Sequence, residues 1–111
     1  MIDEISLYRI DQYQDDAIST AIYPEDRGLE YCLLQLASEA GEAAGKLGKA
    51  IRKGTPVDTE ALALELGDVL WYVANSANEI GYTLSDVAAM NIQKLRSRTT
   101  RGVIHGDGDN R

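Results

Sequence analysis

The sequence predicts an all-α domain, a bundle of four to five helices. Three observations carry this expectation. Apolar residues return at the 3.6-residue spacing of a buried helix face along four separate stretches. Proline or glycine stands at the joints between those stretches, at Pro24, Gly54, Pro56 and Gly81. The length of 111 residues leaves room for one modest core, and therefore for one domain over residues 1–111 with a glycine-rich tail from about residue 101.

Taken in order, residues 1–9 mix charge and apolar character without a period and are expected to form an extended lead-in. Ile10, Tyr13, Ala17 and Ala21 then recur at helical spacing, with Asp11, Gln12, Asp15 and Asp16 between them, which predicts a short amphipathic helix over 10–21. Tyr23-Pro24 ends it, because a proline pushes the preceding residue out of helical geometry. A second helix is expected to start after Asp26 or Gly28 and to run to about Lys53, burying the stripe Leu29, Leu33, Leu36, Ala40, Ala44, Leu47 and Ile51. Gly54 suits the left-handed position that closes it, and Pro56 forbids its resumption. Lys46, Lys49, Arg52 and Lys53 gather at its C-terminal end, where the helix dipole favours positive charge.

Asp58 is a good N-cap for a third helix, which continues to about Ile80 and stops at Gly81. Its stripe is Leu62, Leu66, Val69, Val73 and Ile80. Leu64, Leu70, Trp71 and Tyr72 extend the apolar surface around most of the circumference, so this helix is expected to be the central, most buried one. Thr83-Leu84-Ser85-Asp86 reads as a capping box with Asp in place of Glu, opening a fourth helix to about Arg98. That helix carries Leu84, Val87, Ala88, Asn91 and Leu95 on one face, with Asn91 as the polar exception. Gly102, Gly106 and Gly108 mark the tail, which also contains His105.

The formal charge of −7 argues against binding a nucleic-acid polymer, which needs clustered Lys and Arg against the phosphates. An acidic protein that takes a phosphate compound needs cations between the two. Cys32 is the single cysteine and falls in an apolar helical pattern, so it is expected to be a core residue in a reducing compartment. The start Met1-Ile2-Asp3-Glu4 lacks the basic and apolar segments of a secretory leader, and no run approaches a membrane span. The expected setting is cytoplasmic, with no membrane partner.

The chemistry lies in two acidic pairs, Glu39-Ala40-Gly41-Glu42 and Glu65-Leu66-Gly67-Asp68. Spacing of i, i+3 puts both carboxylates of a pair on one helix face, and a short connection at 54–57 would let the two faces meet. Four converging carboxylates repel one another, and a hard divalent cation such as Mg²⁺, Mn²⁺ or Ca²⁺, which takes oxygen ligands, is the simplest stabilising partner. The competing reading is a solvated face in which Glu42 pairs with Lys46 four residues on. Against it, Glu65 and Asp68 interrupt the most apolar helix, where a buried carboxylate without a partner is costly. A di-iron carboxylate bundle needs Glu-x-x-His motifs, and His105 belongs to none, so Mg²⁺ or Mn²⁺ is favoured.

Asn91, Lys94 and Arg98 follow i, i+3, i+7 spacing on the fourth helix and are candidates for gripping an anionic substrate. A helix end complementing its own dipole accounts for Arg98 and partly for Lys94, but not for Asn91. Tyr13, Tyr31, Trp71 and Tyr72 are expected in the core, with base stacking as the alternative. The lysines from Lys46 to Lys53 are expected to be a solvated helix end, with phosphate steering as the alternative.

Together, Glu39-x-x-Glu42, Glu65-x-x-Asp68 and Asn91-x-x-Lys94 resemble the signature of the MazG-like nucleoside triphosphate pyrophosphohydrolases, in the all-α NTP pyrophosphohydrolase superfamily. The likeness runs from the Tyr13-Gln14 helix to Arg101-Gly102. It implies that Glu39, Glu42, Glu65 and Asp68 hold Mg²⁺, with Mn²⁺ as a substitute, and carry catalysis. It further implies hydrolysis of a nucleoside or deoxynucleoside triphosphate to the monophosphate and pyrophosphate, in a house-cleaning role for the nucleotide pool. A homodimer or homotetramer that completes the bundle is also implied. Within the superfamily, a phosphoribosyl-ATP or deoxynucleotide-selective enzyme is the alternative; outside it, a non-catalytic helical interaction module with an acidic face.

Overall fold

Each helix starts and stops where a side chain or a glycine satisfies the backbone. The computed structural model describes residues 8–102, and among them runs α1 (Ile10–Ser19), a 3₁₀ turn at Glu25–Arg27, α2 (Gly28–Lys53), α3 (Thr59–Glu79) and α4 (Leu84–Arg101). The fold is all-α, as predicted. His105, the tail beyond Gly102 and most of the lead-in lie outside the described residues.

The α1 helix stops two residues earlier than its apolar spacing suggests. Thr20 closes it locally, donating from its hydroxyl to Ala17 O at 2.8 Å and from its amide to the same oxygen at 3.2 Å. The α4 helix runs three residues past Arg98, because nothing breaks it before Gly102, whose φ of 73° takes the left-handed cap. Gly54 does the same for α2 at φ 68°, and Asp58 accepts the Ala61 amide at 3.1 Å to open α3. The capping box at α4 forms with both of its hydrogen bonds, Asp86 N to Thr83 Oγ1 at 3.0 Å and Thr83 N to Asp86 Oδ2 at 3.2 Å.

The short connection makes α2 and α3 an antiparallel hairpin. Gly28 at its open end abuts Glu79, and Ala50 near its closed end shares a cleft with Ala61. A Cβ on residue 28 would meet the end of the Glu79 side chain, which would then have to swing away from the positive start of α2.

Packed onto the hairpin, α1 crosses the C-terminal half of α3 and meets the start of α4. The buried core sits at that crossing, where Ala17, Ala74, Ala77 and Leu84 are surrounded by Tyr13, Trp71, Val73 and Val87. Gln14 is buried among them with its amide satisfied on both sides. Its Nε2 donates to Ala74 O and Tyr82 O, each at 3.1 Å, and its Oε1 accepts from Leu84 N at 3.1 Å. Asp11 accepts from Ser85 N at 2.9 Å and from Ser85 Oγ at 2.6 Å. Side chains of α1 thus take the first free amides of α4 and fix its docking.

One expectation is overturned. Among the described residues the predicted α2 stripe is not buried: Leu29, Leu33, Leu47 and Ile51 are exposed, and Cys32 and Ala50 are buried instead. On α3, Leu64, Leu66 and Leu70 are exposed, and full burial is confined to Ala74–Ala77. The physical reason is the number of layers. Two helices cover each other along one face only, and the second layer, α1 with α4, lies over the C-terminal half of α3. Among the described residues, no helix is long and apolar enough to cross a membrane.

Candidate metal centre

The antiparallel hairpin brings the two acidic pairs to the same level, since residues 39–42 of α2 lie opposite residues 65–68 of α3. Glu39, Glu42 and Glu65 each place a carboxylate oxygen within 4.8 Å of the others. Asp68 joins Glu39 in lining a hollow of about 240 Å³, which Trp71 and Tyr72 line as well. Of the four acids, Glu39 and Glu65 are partly buried and Glu42 and Asp68 are exposed, so only one member of the α3 pair is shielded as the apolar helix led one to expect.

The electrostatics follow from that crowding. Burial pushes the Glu39 carboxyl above the usual carboxylate range, and the negative charges of Glu42, Asp68 and Glu65 push it the same way. Glu39 Oε2 and Glu65 Oε2 are both buried without a hydrogen-bond partner. Lys46 pairs across the hairpin, with Nζ 3.5 Å from Glu65 Oε1; among the described residues it makes no ion pair with Glu42. The i, i+4 pair on α2 that would make this an ordinary solvated face is therefore not formed.

Aromatic residues wall one side of the acids. Trp71 and Tyr72 meet edge to face at 4.9 Å, Tyr31 lies 6.3 Å from Tyr72, and Tyr23 stacks on Tyr31 at 5.7 Å. Trp71 is held by a 2.8 Å hydrogen bond from Nε1 to Thr20 Oγ1. Burial, followed by hydrogen bonding to Tyr31, pushes the Tyr72 hydroxyl up to about 12, so it stays protonated. Cys32 lies beneath this cluster, fully buried, and burial pushes its thiol up as well. Tyr13 comes over from α1 close enough for the Asp68 charge to raise its hydroxyl, after the larger effect of burial. The positions of Trp71 and Tyr72 relative to the acids are legible in retrospect, because they follow Asp68 by three and four residues and so share its helix face.

The basic residues of α4 line a different surface. Asn91 and Lys94 border an apolar hollow of about 500 Å³ with Ile80, Tyr82, Val87 and Met90, and none of the four carboxylates lines it. Arg98 is 3% exposed and packs inward, not on an open face.

Residues 27–103 match the family described as the MazG nucleotide pyrophosphohydrolase domain, a stretch that contains both acidic pairs and the whole of α2, α3 and α4. The chain belongs to the MazG family. A relative in Mycobacterium phage L5, the Gene 37 protein, is 46% identical over 112 residues, covering 92% of this chain and 98% of the relative. No solved structure matches the chain significantly.

Divalent-metal dependence is typical of MazG proteins, and the donor set fits such an ion. The donors are hard carboxylate oxygens contributed by two rigid helices. Two of those oxygens are buried and have no hydrogen-bond partner among the described residues, an arrangement that is costly until a cation satisfies it.

Proposed function

We propose that this MazG-family protein hydrolyses a nucleoside or deoxynucleoside triphosphate to the monophosphate and pyrophosphate, with Mg²⁺, or Mn²⁺ in its place, held by Glu39, Glu42, Glu65 and Asp68. The observation that carries the reading is the convergence of three carboxylates within 4.8 Å, with buried oxygens of Glu39 and Glu65 left unpartnered.

When bound, the divalent ion supplies charge neutralisation for the triphosphate and acidifies the attacking water. The residues supply positioning. The carboxylates have two tasks, to hold the cation and to accept the proton of the water. The tight trio suits the first, and Asp68, which lines the same hollow as Glu39, can serve either. Trp71 and Tyr72 offer an apolar wall to the nucleoside directly beside the acids. Of the α4 residues, Lys94 is read as countering phosphate charge and Asn91 as orienting a phosphate or sugar oxygen, from the separate hollow they border, while Arg98, packed inward, supports that helix rather than touching the substrate.

Self-association into a homodimer or homotetramer is part of the reading. Leu33, Leu47, Leu64 and Leu66 are each about half exposed or more, an apolar surface that one chain leaves uncovered. Gly45 and Gly48 face open space on α2, where a glycine weakens a helix by about 1 kcal/mol relative to alanine and a close approach by another helix would explain its use. The same reading takes residues 1–111 as one domain, and a cytoplasmic setting accords with the lone buried thiol of Cys32.

The test is incubation with a panel of ribo- and deoxyribonucleoside triphosphates and Mg²⁺, with pyrophosphate as the product measured. Release with at least one nucleotide is expected. No release with any, together with no Mg²⁺ binding by calorimetry, would instead assign the acidic face to a non-catalytic interaction module.

A further inference from the structure

Lys46 is the one cation found in contact with the acidic site among the described residues, and neither its position nor its partner follows from the metal reading. It stands on α2 one turn beyond Glu42, yet its ammonium reaches across to α3. The Glu65 side chain that receives it is only 16% exposed, and the Lys46 side chain is 38% exposed, so this pair is more sheltered than an ordinary surface ion pair. Glu65 is thereby divided. Oε1 faces Lys46, while Oε2 is buried and unpartnered.

The geometry points to Lys46 as a resident counter-cation of the acidic site, one that stabilises the carboxylates without metal, competes with the divalent ion for Glu65 and withdraws when that ion binds. The inference rests on the metal reading above. Its physical basis is Coulomb's law. A unit positive charge at contact distance from a ligand oxygen repels an incoming divalent cation, while the same charge offsets the mutual repulsion of the carboxylates when that cation is absent. Room for withdrawal exists toward the closed end of the hairpin. Lys46 also borders a cleft of about 280 Å³ there, which Lys49, Lys53, Thr55, Val57 and the acidic Asp58 line as well. Swinging into it exposes the ammonium to solvent and disturbs none of the buried core residues Ala17, Ala74, Ala77 and Leu84. In that position its charge joins those of Lys49 and Lys53 beside the single carboxylate of Asp58, so loading the cation makes the cleft more positive.

The experiment compares Mn²⁺ titrations by calorimetry, without nucleotide, of the wild-type chain, Lys46→Gln and Lys46→Arg, alongside their metal-free melting temperatures. Lys46→Gln is expected to bind Mn²⁺ roughly tenfold more tightly and, without metal, to melt at a lower temperature than wild type. Lys46→Arg keeps the charge and is expected to behave as wild type in affinity. If wild type binds Mn²⁺ and Lys46→Gln binds it no more tightly, the counter-cation role is overturned while the metal site stands. If wild type binds no divalent ion, the metal reading itself falls and this inference with it. A second measurement needs no variant. The side-chain ammonium resonance of Lys46 in the wild-type protein should shift and exchange faster with water as Mg²⁺ is added, and an unchanged signal at saturating Mg²⁺ would overturn the proposal.

Discussion

Glu39 on α2 and Glu65 on α3 approach each other within 4.8 Å, and each buries one carboxylate oxygen that has no hydrogen-bond partner. Two helices of opposite direction deliver these groups to one place, and like charges so placed oppose folding unless a cation joins them. The first prediction follows. Glu65→Gln keeps the shape and removes the charge, so turnover should fall by about 100-fold or more, since a bound ion contributes several kcal/mol to the transition state. Far-ultraviolet dichroism should be unchanged. Full activity combined with altered stability would mean that the pair is structural.

A pH dependence follows from Glu39. Its proton affinity is raised in the folded chain, so the folded state binds the proton more strongly than the unfolded state does. The stability this group contributes is therefore complete below its ordinary value of 4.5 and is lost as pH rises through the raised value. Melting temperatures in a chelator should fall across that interval, and the fall should be smaller in Glu39→Gln and with saturating Mg²⁺. An identical pH profile for wild type and Glu39→Gln would contradict the assignment.

The anchoring of α4 depends on Gln14. Replacing it with leucine leaves Ala74 O, Tyr82 O and Leu84 N without their partner, and chemical denaturation should show a loss of about 2–4 kcal/mol. A loss below about 0.5 kcal/mol would mean that water replaces the amide at no cost.

On α4, Lys94→Ala should raise KM for the triphosphate several-fold with a smaller effect on kcat, because a lysine that counters ground-state phosphate charge contributes mainly to binding. An unchanged KM would remove Lys94 from the substrate site.

Much of the fold was legible in the sequence because its boundaries are local chemistry. Gly54, Asp58, Gly81 and Thr83 each act within one turn of their own position, and all four mark helix ends where expected. The convergence of Glu39, Glu42 and Glu65 was legible too, since i, i+3 spacing and a short connection leave an antiparallel hairpin few other arrangements. Burial was less so. The α2 stripe has a clean helical period, but periodicity states which face is apolar and not what covers it, and among the described residues Leu33, Leu47 and Ile51 stay about half exposed or more. Gln14 was hidden for the converse reason, because a polar residue in a helix of mixed charge gives no sign that three distant backbone groups await it. The choice of Glu65 over Glu42 by Lys46 likewise depends on the distance between helices, which spacing along one helix cannot supply.

The central claim is chemical, and phosphorus NMR of the products tests it most directly. Incubated with Mg²⁺ and the preferred nucleoside triphosphate, the wild-type protein should yield pyrophosphate and the monophosphate in equal amounts, and Glu65→Gln should yield neither. Orthophosphate and a diphosphate as the products, or an intact triphosphate across the whole nucleotide panel at saturating Mg²⁺, would contradict it.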